Sequence, residues 1–98
     1  MAQFHVYRLP DGLLVLDLQS DLIDTGTRVV APLLPGSEKL KPITRLEPML
    51  EVDGQPLALR AAEMAAIPAR LLSGEAVADL TGEDYAIRRA LDMVFSGF

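Results

Sequence analysis

Residues able to do chemistry are few in this chain, and their spacing limits what they can do. His5 is the sole histidine and there is no cysteine. A two-histidine zinc site, a thiolate centre and a disulfide are excluded, and a Ser–His–Asp relay has no local partner for its imidazole. His5 reads as a solvent-facing or cross-strand residue of the first strand. Asp17, Asp21 and Asp24 form a D-x3-D-x2-D cluster, which lacks the alternating acids and central glycine of a calcium loop. A solvated loop flank without metal is the expectation. The seven glycines never gather into a phosphate-cradling loop. Arg60, Arg70, Arg88 and Arg89 are anion ligands by type only. Arg88 and Arg89, adjacent on a helix, diverge by about 100° and suit ion pairs on a solvated face. No catalytic residue and no cofactor are predicted.

Two segments carry more information. In Gln19-Ser20-Asp21-Leu22-Ile23-Asp24-Thr25-Gly26 a Leu-Ile pair stands between acids in a loop. Such a pair either tucks into the core or stands out as a contact knob. The other segment is Met93-Val94-Phe95-Ser96-Gly97-Phe98. Val94 falls on a helical apolar stripe, whereas Gly97 can release the helix and aim Phe98 elsewhere. Phe98 is then either stapled down or offered to a partner.

The elements that must position these segments can be read from periodicity. Residues 3–7 alternate polar and apolar, which suits an edge or half-buried strand. Pro10-Asp11-Gly12 is a turn, and Leu13-Leu14-Val15-Leu16-Asp17-Leu18 a second strand. Residues 28–34 make a third, with Pro32 pointing to an edge or a bulge. A loop is expected from Pro35 to Pro42. Residues 46–52 and 57–59 flank Asp53-Gly54, a strong hairpin signal. The Ala-rich stretch 61–66 turns or extends, limited by Pro68, and leads into Leu71-Leu72. One helix is clear, with Thr81 as N-cap and Asp84 three residues on in a capping box. Its stripe is Ile87, Leu91, Val94 and Phe98, widened by Ala90 and Phe95. About 15 residues from Glu83 would span roughly 22 Å. Short strands followed by one helix indicate an α+β barrel or sheet.

Composition bounds the rest. Ninety-eight residues are one domain's worth, 1–98, and half of them are apolar. That excludes a disordered tail and gives so small a chain a motive to dimerise. The net charge of -5, with no Lys/Arg-rich run, makes the chain a poor candidate for autonomous nucleic-acid binding and favours a basic protein partner or simply solubility. No signal peptide is visible, and the longest run free of charge and histidine, 29–37, falls short of the roughly 20 residues of a membrane span. The lack of cysteine fits a reducing cytoplasm.

The two segments singled out above also carry a family resemblance. The chain resembles the CcdB-type toxins of bacterial toxin–antitoxin modules. The match runs nearly end to end: Gln3-Phe4-His5-Val6-Tyr7, then Asp17-Leu18-Gln19-Ser20-Asp21-Leu22-Ile23-Asp24-Thr25, Val30-Ala31-Pro32-Leu33, Met64-Ala65-Ala66-Ile67-Pro68, Glu75-Ala76-Val77-Ala78-Asp79-Leu80, and Phe95-Ser96-Gly97-Phe98. Residues 34–57 match poorly. The resemblance implies an SH3-like β-barrel with a C-terminal α-helix, shared with MazF and Kid-type toxins, and a homodimer. It implies a non-enzymatic activity: binding the DNA gyrase A subunit and trapping the cleaved-DNA complex. It also implies a CcdA-like antitoxin that wraps the toxin, and operator DNA bound only together with that antitoxin.

Carried across by position, the gyrase surface is Ser20, Leu22, Ile23, Asp92, Ser96, Gly97 and Phe98. The antitoxin surface is Leu22, Asp24, Met64, Asp84 and Met93. One departure matters. Ser96 stands where the family's poisoning toxins have tryptophan, and this chain has no tryptophan. An alternative follows: a member that binds its antitoxin but has lost or changed the gyrase activity. A MazF-like endoribonuclease is a further alternative, with Thr25, Thr27 and Arg28 as the residues such a site would use.

Overall fold

A computed structural model of the chain describes residues 1–36 and 46–97. Most of the loop expected from Pro35 to Pro42 lies outside the described residues. Seven strands are described: β1 (His5–Arg8), β2 (Leu14–Asp17), β3 (Thr27–Pro35), β4 (Met49–Val52), β5 (Gln55–Leu59), β6 (Ala65–Pro68) and β7 (Ala78–Asp79). They form one antiparallel sheet in the order β4-β5-β3-β2-β1-β7, with β6 also on β3. The sheet curls into a nearly closed barrel, and helix α1 (Asp84–Ser96) follows it. This is the barrel-plus-helix architecture expected from the resemblance.

Local chemistry explains the turns. Asp53 and Gly54 take φ of 51° and 81°, the left-handed pair that a two-residue hairpin needs to match strand twist. The β4–β5 register, Val52 opposite Gln55, follows directly. At Pro10-Asp11-Gly12, the Gly12 amide donates to Leu9 O at 2.8 Å and Asp11 Oδ1 accepts the Leu13 amide at 3.0 Å.

β3 is the spine of the sheet. One edge pairs with β2 from Val30 to Leu33; the other pairs first with β6 and then with β5. Pro32 therefore lies in an interior strand and not at an edge, one of the two positions its sequence pointed to. Its missing N–H is tolerated because it falls where the partner changes from β6 to β5; its carbonyl still accepts the Arg60 amide at 2.9 Å. β1 is likewise interior, between β2 and β7.

Period-two alternation buries both faces of the central strands. Val6, Leu16, Ala31, Leu33 and Leu59 face a core closed by Ile87 of the helix. Tyr7, Val15 and Val30 face a smaller one closed by Leu72, in the 3-10 turn Ala69–Leu72. Burial first, then the charges of Asp17 and Asp21, pushes the Tyr7 hydroxyl up from its ordinary pKa, against a lowering backbone hydrogen bond at Ala2 and the charge of Arg28.

The helix begins differently from expectation. Residues Thr81–Glu83 form a 3-10 turn, and among the described residues no side chain caps α1, so the Thr81/Asp84 capping box is not made. Asp79 takes that task one turn earlier: its Oδ1 accepts the Thr81 amide at 2.9 Å. Backbone and hydroxyl hydrogen bonds from Thr81 hold the Asp79 carboxyl below its ordinary 3.8, helped by His5 opposite. Ile87 and Ala90 are fully buried and Leu91 and Val94 half-buried, as the stripe requires. Phe95 is not part of it; it is 73% exposed.

Candidate functional site

The Leu-Ile pair stands out from the β2–β3 connection. Leu22 is 92% exposed and Ile23 52%. The loop is built from short-range hydrogen bonds, which leave the apolar pair facing outward. Ser20 Oγ accepts the Leu22 amide at 3.2 Å and Ser20 O accepts the Ile23 amide at 3.1 Å. The Gln19 amide nitrogen Nε2 donates to Ile23 O at 2.8 Å, while its Oε1 accepts the Val29 amide at 3.0 Å. Asp24 Oδ1 accepts the Gly26 amide, and Gly26 takes a φ of 79° that a side chain would resist.

Beneath the loop sits an ion pair that takes Asp17 out of the solvated flank expected for the acidic cluster. Asp17 is fully buried and Arg28 nearly so. Arg28 Nη2 lies 2.8 Å from Asp17 Oδ2, and Nε donates to both carboxylate oxygens at 3.0 and 3.2 Å. The acidic cluster is thus split by depth. Asp17 is a core partner of Arg28, Asp21 is an exposed second partner at 3.2 Å, and Asp24 is exposed. Burial works against the Arg28 charge, but the hydrogen bond and charge of Asp17, then those of Asp21, outweigh it and raise its pKa. A shallow cleft of about 190 Å³ opens here, lined by Met1, Asp21, Ile23, Asp24 and Arg28. It is smaller than ordinary cofactor pockets. Among the described residues no group of three His, Cys, Asp or Glu side chains is placed to hold a metal.

The second group of predicted residues lies on α1. Asp92 and Ser96 are exposed at i and i+4, and exposed Phe95 sits beside them, so the three share one end of the helix surface. Gly97 adopts the left-handed cap, φ 79°, its amide donating to Met93 O at 2.9 Å. The prediction that Gly97 ends the helix holds. Phe98 lies outside the described residues. Asp84, exposed, opens α1 and pairs loosely with Arg88 at 3.9 Å. Met93 is half-buried. Met64 follows the 3-10 turn Ala61–Glu63, which packs against α1, and is half-buried on the core.

The predicted residues that are described therefore fall on the loop and the helix, apart from Met64, which follows the 3-10 turn Ala61–Glu63. Among the described residues no hydrogen bond or ion pair joins residues 19–26 directly to α1. The link runs through the first strand's approach. Asp21 Oδ1 accepts the Gln3 amide at 2.9 Å, and the next residue, Phe4, lies under Arg88 of the helix. His5, as expected, is a cross-strand residue, opposite Asp79 with Nε2 3.6 Å from its Oδ2.

Sequence reasoning missed Arg28 as the anchor of the loop and Phe95 as exposed aromatic surface. A signal existed for the first. Asp17 is in phase with Val15, and Arg28 with Val30, so one face of two neighbouring strands carries opposite charges.

Two comparisons with known proteins bear on this arrangement. A family model described as "CcdB protein" matches residues 3–97. A solved structure titled "Endoribonuclease from Mycobacterial species" superposes with a TM-score of 0.76 at 16% sequence identity, over 97% of this chain and 90% of that one. At that identity the likeness is one of fold.

Proposed function

Because the chain belongs to the CcdB family, toxins of toxin–antitoxin modules, we propose that it binds the DNA gyrase A subunit, traps the cleaved gyrase–DNA complex, and is neutralised by a cognate CcdA-like antitoxin. The observation carrying this reading is the outward presentation of Leu22 and Ile23 on a hydrogen-bonded loop. Exposed apolar side chains at the centre of a contact are what an interface uses as anchors. The action is non-enzymatic. A toxin that binds one gyrase state better than another shifts gyrase toward that state, by as much as the difference in affinity. On this reading the toxin is a single domain, 1–98, acting as a cytoplasmic homodimer. Two-fold symmetry would then present each knob and each helix end twice. The antitoxin, drawn to Leu22, Asp24, Met64, Asp84 and Met93, would cover part of the same surface, and the pair together would occupy operator DNA.

A gyrase DNA-cleavage assay with the purified chain tests this. Accumulation of cleaved complex is expected; none at saturating protein rejects the proposal.

One observation favours a second reading. Ser96 is exposed at the end of α1, where an aromatic anchor would be needed, and serine cannot fill an aromatic pocket. In that reading the chain keeps its antitoxin and has lost or changed its target. Expression without antitoxin separates the two: unaffected growth supports the second, and arrest relieved by resistant gyrase supports the first. The ribonuclease reading is weakened by Arg28, whose Nε and Nη2 are committed to Asp17, Gln19 and Asp21 and whose side chain is 5% exposed. Fold likeness to an endoribonuclease supplies no chemistry by itself. RNA incubated with the chain is expected to stay intact.

A further inference from the structure

We propose that Arg28 is the positioning residue for the Leu22-Ile23 knob, a latch that holds the docking loop in one conformation from inside the sheet. The proposal rests on the reading of Leu22-Ile23 as a docking surface. The buried pair is hard to explain by stability. Asp17 and Arg28 occupy the same face as Tyr7, Val15 and Val30, where two apolar side chains would pack at no electrostatic cost. Replacing such a pair by apolar residues of similar volume is commonly neutral or stabilising.

What an apolar pair cannot do is reach the loop. The guanidinium that binds Asp17 also donates through Nη2 to Gln19 O at 2.8 Å and to Asp21 Oδ1 at 3.2 Å. Asp17 answers from its side, its Oδ1 accepting the Gln19 amide at 3.1 Å. Gln19 then grips Ile23 O and the Val29 amide across the mouth of the loop. Asp21 is held a second time by the Gln3 amide. The segment bearing Leu22 and Ile23 is therefore tied to Arg28 on its N-terminal side, at Gln19 and Asp21, and through the Gln19 side chain at Ile23 O. The planar fork of arginine makes this possible. A lysine ammonium has no donor at the Nε position and loses the contacts made there to both Asp17 oxygens. A loop ordered before binding loses less entropy on docking, so the latch raises affinity without touching the partner.

Three variants test the latch in the whole chain: Arg28→Lys, the double variant Asp17→Leu with Arg28→Met, and Asp21→Ala at an exposed position the core does not need. Backbone order parameters for residues 19–26 are read in the free protein, beside hydrogen exchange of the core amides of Leu16 and Leu59. The double variant is expected to keep core protection within threefold of the parent, while loop order falls from about 0.85 toward 0.6 or below. Arg28→Lys falls similarly, and Asp21→Ala falls less. Dissociation from purified gyrase A subunit is expected to quicken at least tenfold in the double variant. Loop order unchanged in Asp21→Ala and in any Arg28 variant that folds overturns the latch, as does a loosened loop with unchanged dissociation. A parent chain that fails to bind gyrase overturns the functional reading alone, since loop order is measured without a partner.

Discussion

Arg88, on the exposed side of α1, lies over the ring of Phe4 with its guanidinium carbon 5.1 Å from the ring centroid. Phe4 is buried and holds a φ of 64°, rare for a bulky side chain. Its amide donates to Asp17 O and its carbonyl accepts the Leu80 amide. Phe4 thus joins the base of the loop through its backbone and the helix through its ring. Truncating Phe4→Ala is expected to cost about 3–5 kcal/mol in chemical denaturation. Removing only the cation, Arg88→Ala, is expected to cost about 0.5–1 kcal/mol, because Arg88 is mostly in water. Similar losses for both would contradict the core role of Phe4.

Leu22 and Ile23 separate binding from folding. Leu22→Ser and Ile23→Asn are expected to leave stability within about 0.5 kcal/mol, as surface changes do. Together they are expected to weaken gyrase binding by 2 kcal/mol or more, about thirtyfold. Titration calorimetry beside thermal unfolding measures both. Binding that survives the double change would remove the loop from the interface.

Ser96→Trp restores an aromatic anchor at an exposed position of α1. On the proposed function it raises the yield of cleaved gyrase complex at a given protein concentration, with a gain in affinity of about thirtyfold. An unchanged cleavage curve would mean that the end of α1 does not contact gyrase.

Gly97→Ala tests the helix cap. A Cβ at Gly97 meets nothing within 4 Å, so the cost is conformational. Forcing a φ of 79° on alanine is expected to cost about 1–2 kcal/mol, or to fray the last turn instead. Carbon chemical shifts of residues 93–96 report which occurs.

Asp79 gives acid sensitivity of known sign. Its carboxyl titrates below the ordinary 3.8 in the folded chain, chiefly through the Thr81 amide. Its stabilising contribution is therefore complete above pH 4 and is lost as pH falls through the lower folded value. The melting-temperature gap between the parent and Asp79→Ala is expected to be open at pH 5 and to narrow as pH falls below 4. A gap that does not narrow as acid is added would refute the capping role.

Much of this protein follows from local rules. The Asp53-Gly54 turn, the alternation of β1, β2 and β3, the Ile87–Ala90 stripe and the glycine cap depend on backbone dihedrals and periodicity within a few residues, and these are written in the chain. So is the family, through the Gln19–Thr25 string and its companions. Three features were decided by tertiary structure. Asp17 looked like a loop acid because its partner lies 11 residues away on a neighbouring strand, and only the β2–β3 register brings them together. Pro32 looked like an edge residue because nothing local reveals that β3 changes partner beside it. Phe95 looked like core because helical phase places it near the stripe, while α1 packed on the barrel buries Ile87 and Ala90 and leaves Phe95 in water. In each case the deciding quantity is the relative placement of elements distant in sequence, which neither propensity nor period encodes.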